Sequence, residues 1–151
     1  MDDVLSTGPW SAAEVERYLD HTAIPLRLSV VTPSGWPLGL SLWFVLEGGE
    51  LLLSTRPDAM VVSCLSAEPR CSFEVVADHP PYRGVRGRGI AEVESEGGGA
   101  LLERLLTRYL GSTDVPLSKR LLARAHDEVV VRITPVSLWS FDFTERMAGS
   151  L

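Results

Sequence analysis

The stretch Pro81 to Gly89, PYRGVRGRG, concentrates the chain's most useful side chains for binding chemistry. Arg86 and Arg88 are two apart, so on a strand both point to one face. Gly87 and Gly89 alternate with them and leave the other face bare, which lets another backbone or a ligand approach. Two guanidinium groups at that spacing suit a phosphate or carboxylate; they also suit plain solvation beside Glu92 and Glu94. Ser54-Thr55-Arg56 ends an apolar run just before a helical pattern. Hydroxyls, a guanidinium and free helix N–H groups at such a junction make a phosphate cradle. Tyr82 and His79 are the nearest candidate proton donors. No side chain is compelled by its neighbours to serve as catalytic acid or base.

Other chemistries find little support. Cys64 and Cys71 are seven apart, and His21, His79 and His126 are scattered without paired spacing, so no metal site is expected. There is no G-x-S-x-G elbow for a nucleophilic serine and no Walker-type loop. The formal net charge of -6 argues against general binding to nucleic acid or an anionic membrane, while leaving room for a local basic pocket. The Met-Asp-Asp start lacks a basic, then apolar, leader, and no segment reaches the roughly 18 apolar residues that span a bilayer. The expected location is the cytoplasm, with both thiols reduced. Asn and Gln are absent and thirteen Arg stand against a single Lys, Lys119, a bias of GC-rich coding that suggests a bacterial source.

The positioning elements follow from hydrophobic periodicity. At 151 residues, with 45% hydrophobic and 23% charged residues, the chain fits one globular domain over 1–151. Ser11 and Glu14 have capping-box spacing, and Ala12, Val15 and Leu19 recur as on a helix, giving a helical N-terminal segment within 1–24. From Leu26 the period becomes two. Strands are expected at Leu26–Val30, Pro37–Leu46, Leu51–Thr55, Cys71–Val76, Val85–Ser95, Val129–Ile133 and Val136–Phe143, with Pro135 as a break or bulge. Asp58–Ser66 reads as a short helix. A helical insertion occupies 98–125: Leu101, Leu102, Leu105, Leu106 and Tyr109 form an amphipathic helix capped by Gly111, and a shorter helix starts at Pro116. Strands in series with late helices indicate a mainly β, α+β fold: an antiparallel barrel with peripheral helices.

The face opposite the expected core is the informative one. Gly39, Ser41, Trp43 and Val45 occupy it on the second strand, and Ser137, Trp139, Phe141 and Phe143 on the last. Trp43, Trp139, Phe141 and Phe143 are too large and apolar for a solvated face, since burying each is worth roughly 1.5–3 kcal/mol. A helix of the same chain, a second subunit and a flat aromatic ligand are the three candidate covers.

From Ile24 to Met147 the order of these pieces resembles the flavin-binding split-barrel family related to pyridoxamine 5'-phosphate oxidase. The resemblance is carried by Pro25-Leu26-Arg27, Gly35-Trp36-Pro37, Leu42-Trp43-Phe44, Leu53-Ser54-Thr55-Arg56-Pro57, Glu68-Pro69-Arg70, the string from Tyr82 to Gly89, and Trp139-Ser140-Phe141-Asp142-Phe143 followed by Arg146-Met147. No single string is decisive; their collinear order is what matches.

The resemblance implies a six-stranded antiparallel split β-barrel and a homodimer with two flavin sites between the subunits. It implies that Ser41, Leu42, Trp43 and Phe44 lie on the strand beside the ring. Ser54 and Thr55 would contact the phosphate or ribityl chain, Arg86 and Arg88 would lie near the site, and Trp139 would approach from the other subunit. Members usually place a Lys in the helix after the third strand; here Met60 and Val61 stand there. Arg56 or Arg27 is then expected to compensate. The implied activity is an FMN- or deazaflavin-dependent oxidoreductase acting on a small organic substrate. The alternatives are a non-redox module holding haem or another aromatic ligand in the same groove, and a structural dimer with no cofactor.

Overall fold

The computed structural model describes residues 4–149. A short strand β1 (Leu5–Thr7) precedes helix α1 (Ala12–His21). Then come β2 (Leu26–Val31), β3 (Pro37–Leu42), β4 (Val45–Glu47), β5 (Glu50–Thr55), helix α2 (Met60–Ala67), β6 (Arg70–Val76) and β7 (Arg83–Glu94). Helices α3 (Gly98–Leu110) and α4 (Pro116–Leu122) intervene before β8 (Val129–Asp142) and the terminal turn α5 (Thr144–Met147).

The sheet has eight strands rather than six. Its order is β3-β2-β6-β7-β8-β5-β4, with β1 joined to β8. Every pairing is antiparallel except β1 on β8. Two features raise the count. The three residues of β1 are too few to leave a periodic signal. The expected second strand, Pro37–Leu46, breaks at Trp43-Phe44 into β3 and β4. Those halves form the two edges of the sheet path, so one continuous stretch of chain joins the edges without a hydrogen-bonded closure. The two expected terminal strands instead fuse into β8, where a register shift opposite Arg88 and Gly89 absorbs Pro135 and Val136.

The core follows the period of two. On β2, Leu26, Leu28 and Val30 are buried and Arg27, Ser29 and Val31 exposed. Phe44, Leu51, Leu53, Phe73, Val75, Val85, Val131, Ile133 and Leu138 complete the interior with Val15 and Leu19 of α1. That helix begins in a capping box: Ser11 N–H donates to the Glu14 carboxylate at 2.7 Å, and Glu14 N–H donates to Ser11 Oγ at 3.3 Å, an arrangement worth about 1 kcal/mol. Its last turn is closed by Arg108 of α3, which donates to the carbonyls of Leu19, Asp20 and Thr22.

Helix α3 covers part of the outer surface. Leu101 and Leu105 pack on Val45, Leu52 and Val130. Tyr109 stacks on Trp43 with centroids 5.1 Å apart and planes 9° from parallel. The Tyr109 hydroxyl donates to the Ile24 carbonyl at 3.0 Å, and burial pushes its pKa upward. Trp43 is therefore roofed by a helix of its own chain. The outer face it was expected to share with Trp139 is in fact two surfaces, one under α3 and one bare.

Candidate functional site

The bare surface is the outer side of β3, β2, β6, β7, the second half of β8, and β1. Strand register aligns its side chains in two rows. One row reads Ser41, Arg27, Glu74, Arg86, Trp139, Thr7, each residue opposite the next on the neighbouring strand. The next row, two residues along, reads Gly39, Ser29, Ser72, Arg88, Ser137, Leu5. The second row is made of small side chains apart from Arg88 and Leu5. A groove of about 840 Å³ lies over these two rows, within the size range of small-molecule and cofactor sites.

Glycine sets the depth of the strand pairing beneath. A Cβ on Gly87 would stand 2.3 Å from the Phe73 ring, so only glycine lets Phe73 fill the core under this point. The alternation of Arg and Gly on β7 thus serves both sides: arginines outward, ring packing inward.

The first row is an ion-pair ladder. Glu74 lies 3.6 Å from Arg27 and 3.2 Å from Arg86, and Arg27 also reaches Asp78 at 3.1 Å. The Arg86 guanidinium sits 5.4 Å from the Trp139 ring centroid and 4.7 Å from that of Phe141. Phe141, expected to need an outside cover, is already buried by these neighbours, whereas Trp139 remains 49% exposed. Arg88, beside Ser72 and Ser137, has no ion-pair partner among the described residues. The lining therefore holds Arg27, Arg86 and Arg88 against Glu74 alone, a basic pocket in a chain of net charge -6.

Of the residues singled out in the sequence, the groove gathers Arg27, Ser41, Arg86, Arg88 and Trp139. It leaves out the others. Leu42 packs toward the core, Trp43 lies beneath α3, and Phe44 is fully buried. Ser54 donates to the Gly98 carbonyl at 3.2 Å and to the Glu128 carboxylate at 3.0 Å. Thr55 ends β5 beside it, outside the groove. Arg56 is engaged by both oxygens of Asp58, at 2.9 and 3.0 Å, and holds that carboxyl below its usual range. Met60 is exposed, Val61 points into the core, and α2 has no side-chain cap. Of the expected phosphate cradle, Ser54 and Arg56 are taken by neighbours of the same chain. His79 and Tyr82 are exposed and lie off the groove.

The sequence reading passed over Ser29, Ser72 and Glu74 as site residues, and placed Ser137 on the outward face without giving it a role. Their only signal is the small or charged residue at each outward position of a strand, and it becomes a site only once the register lines those positions up. Among the described residues, no three of His, Cys, Asp and Glu converge as a metal-ligand set, and no helix is long and apolar enough to cross a membrane.

No sequence-family model and no curated protein matches this chain. Solved structures do. A conserved hypothetical protein of Mycobacterium tuberculosis superposes with a TM-score of 0.75 at 25% identity, over 89% of this chain and 86% of that one. An F420 reductase gives 0.69 at 24% identity, over 81% and 94% of the two chains. The haem storage protein of Vibrio cholerae gives 0.63 at 15% identity, over 84% and 92%.

Proposed function

We propose that this chain, whose fold is that of the split-barrel proteins related to pyridoxamine 5'-phosphate oxidase, binds a flavin or deazaflavin in its outer groove for redox work on a small organic substrate. The observation that carries this reading is the groove's composition. Three arginines and one glutamate line it beside a half-exposed tryptophan, in a protein that is acidic elsewhere. Such a surface suits a ligand that is both flat and anionic.

The residues fit that group at the groove and not at α2. Trp139 offers an aromatic face. Arg27 and Ser41 offer polar contacts from β2 and β3, and Arg86 is held in place by Glu74 and two rings. At α2, where a basic residue would grip a phosphate, Met60 and Val61 offer none and Arg56 is already paired. Arg27 and Arg86 would therefore carry the anionic end. The bound ring would supply the hydride chemistry; the protein's part is to hold, orient and shield it. A second copy of the chain covering this face would exclude water from the ring.

Among the described residues lining the groove there is no His, Cys, Met or Tyr. A haem would find no side chain of this groove to ligate its iron, and this favours the flavin reading over the haem alternative.

The test is titration of the purified protein with FMN, with riboflavin and with F420, read by visible absorption and by quenching of tryptophan fluorescence. Saturable binding of FMN or F420, lost in Arg27→Gln/Arg86→Gln, is expected. A protein that binds neither compound overturns the reading.

A further inference from the structure

The second row of the groove carries a single cation among small side chains. Arg88 has Ser72 opposite it on β6 and Ser137 opposite it on β8, and the row continues through Ser29 to Gly39. Nothing in the packing demands glycine at that far end: a Cβ on Gly39 would meet nothing within 4 Å. The row is a trough, open past Ser29. From Arg88 to Ser29 it crosses two strand spacings, about 10 Å.

The charge of Arg88 is unspent. Among the described residues it has no ion-pair partner. Neither its guanidinium nor the hydroxyls of Ser29, Ser72 and Ser137 take part in a hydrogen bond there. Glu74, on the neighbouring strand, is already shared by Arg27 and Arg86. Glu92 lies four residues along β7, about 13 Å away. A guanidinium with all its donors free, beside two hydroxyls and set in a groove, has the make-up of an anion subsite separate from the ladder.

We propose that Arg88, flanked by Ser72 and Ser137, anchors the carboxylate of the substrate, and that the substrates are small organic acids whose bodies lie along the trough toward Ser29 and Gly39. Charge number separates this anion from the one at the ladder. One guanidinium matches one negative charge, and its planar fork fits both oxygens of a carboxylate. Arg27 and Arg86 together suit a doubly charged phosphate. Arg88 stands two residues from Arg86, about 7 Å along β7, so an acid held there lies beside the occupant of the first row. That a small substrate enters this groove at all is the functional reading above, on which this assignment rests; its test is run without flavin.

The experiment titrates Arg27→Gln/Arg86→Gln, which leaves Arg88 as the one arginine among the described residues lining the groove. The probes are benzoate, its neutral isostere benzamide and inorganic phosphate, followed by NMR of the arginine Nε–H groups. Benzoate should bind saturably and about tenfold or more tighter than benzamide, and phosphate should bind more weakly than benzoate. Adding Arg88→Gln should weaken benzoate about tenfold or more. Arg88→Lys, which keeps the charge and loses the fork, should recover part of that loss. Benzoate and benzamide binding alike, phosphate binding more tightly than benzoate, or a benzoate affinity indifferent to Arg88→Gln would each overturn the proposal. If the double variant loses its circular dichroism signature, the unaltered chain is titrated with benzoate instead. The Arg88 resonance should then move most, and shifts confined to Arg27 and Arg86 overturn the assignment. A chain that binds neither FMN nor F420 yet holds benzoate at Arg88 sinks the functional reading and spares this one; flavin binding with benzoate indifferent to Arg88 does the reverse.

Discussion

Glu74→Gln tests the placement of the ligand's charge. Glu74 stands between Arg27 and Arg86, at 3.6 and 3.2 Å, and in the free protein it cancels one of their two charges. The amide keeps the shape and removes that charge. On folding, two pairs weaken. Both arginine side chains are nearly half exposed, at 47% and 48%, so solvent screening limits the cost to about 1 kcal/mol in all.

On binding, the effect has the opposite sign. A phosphate held by these arginines sits near Glu74, and the carboxylate repels it. For a doubly charged phosphate about 6 Å away in a water-rich groove, Coulomb's law gives about 1.4 kcal/mol. Physiological salt reduces that to about 0.7 kcal/mol, roughly a threefold gain in affinity. Riboflavin has the same ring and no phosphate, so its affinity should not move. The assay is paired titration of FMN and riboflavin with the unaltered chain and with Glu74→Gln, alongside urea melts. The FMN-to-riboflavin affinity ratio should rise about threefold while the protein loses a little stability. A ratio that stays level in a folded variant means the phosphate lies elsewhere, and the assignment of Arg27 and Arg86 fails.

Further substitutions probe other parts of the argument. Trp139→Ala removes the exposed ring of the groove, and flavin affinity measured by titration should fall about tenfold. Gly87→Ala forces a Cβ to within 2.3 Å of the Phe73 ring and should cost about 2 kcal/mol in denaturant melts, with part of the loss restored by adding Phe73→Leu. Arg132→Met removes the cation between Glu50 and Glu94, a loss of about 0.5–1 kcal/mol at neutral pH for a pair this exposed. The hydrogen bond from Arg132 holds the Glu94 carboxyl below its ordinary range in the folded state. That stabilisation is complete above the unfolded carboxylate range and is lost as pH falls toward the folded value, so the acid limb of the stability curve should flatten in Arg132→Met.

Much of this architecture is legible without coordinates. Alternation on Leu26–Val31 and the amphipathic run from Leu101 to Tyr109 report a strand and a helix directly, because each buries one face. The bend at Trp43-Phe44 is silent for the same reason. Apolar residues continue from Leu38 through Leu46 on both sides of it, and nothing local marks the change of edge. Trp43 and Trp139 look alike in sequence, as large rings at outward positions. Which one receives a covering helix depends on where α3 folds back, and Tyr109 decides it from 66 residues away in the chain. The groove is the least legible part. Ser29, Ser72 and Ser137 are unremarkable residues until pairing sets them in one row with Arg88. Register is a property of the assembled sheet, fixed by which faces bury together.

The two candidate phosphate sites differ in how their charges are spent, and that difference can be measured. At the end of β5, Arg56 is locked to Asp58 through two hydrogen bonds within a single turn of chain, and the helix that follows adds no cation. On the outer face, Arg27 and Arg86 share one carboxylate between them, and Asp78 reaches only Arg27. A phosphate arriving at β5 must displace Asp58 or leave Arg56 unused; one arriving at the ladder meets guanidinium groups with donors to spare. Asp58→Asn should therefore leave the FMN-to-riboflavin affinity ratio unchanged, whereas Glu74→Gln should raise it. If the responses are exchanged, with the ratio rising only in Asp58→Asn, the phosphate belongs at β5 and α2 after all. Arg56 would then replace the missing helical cation.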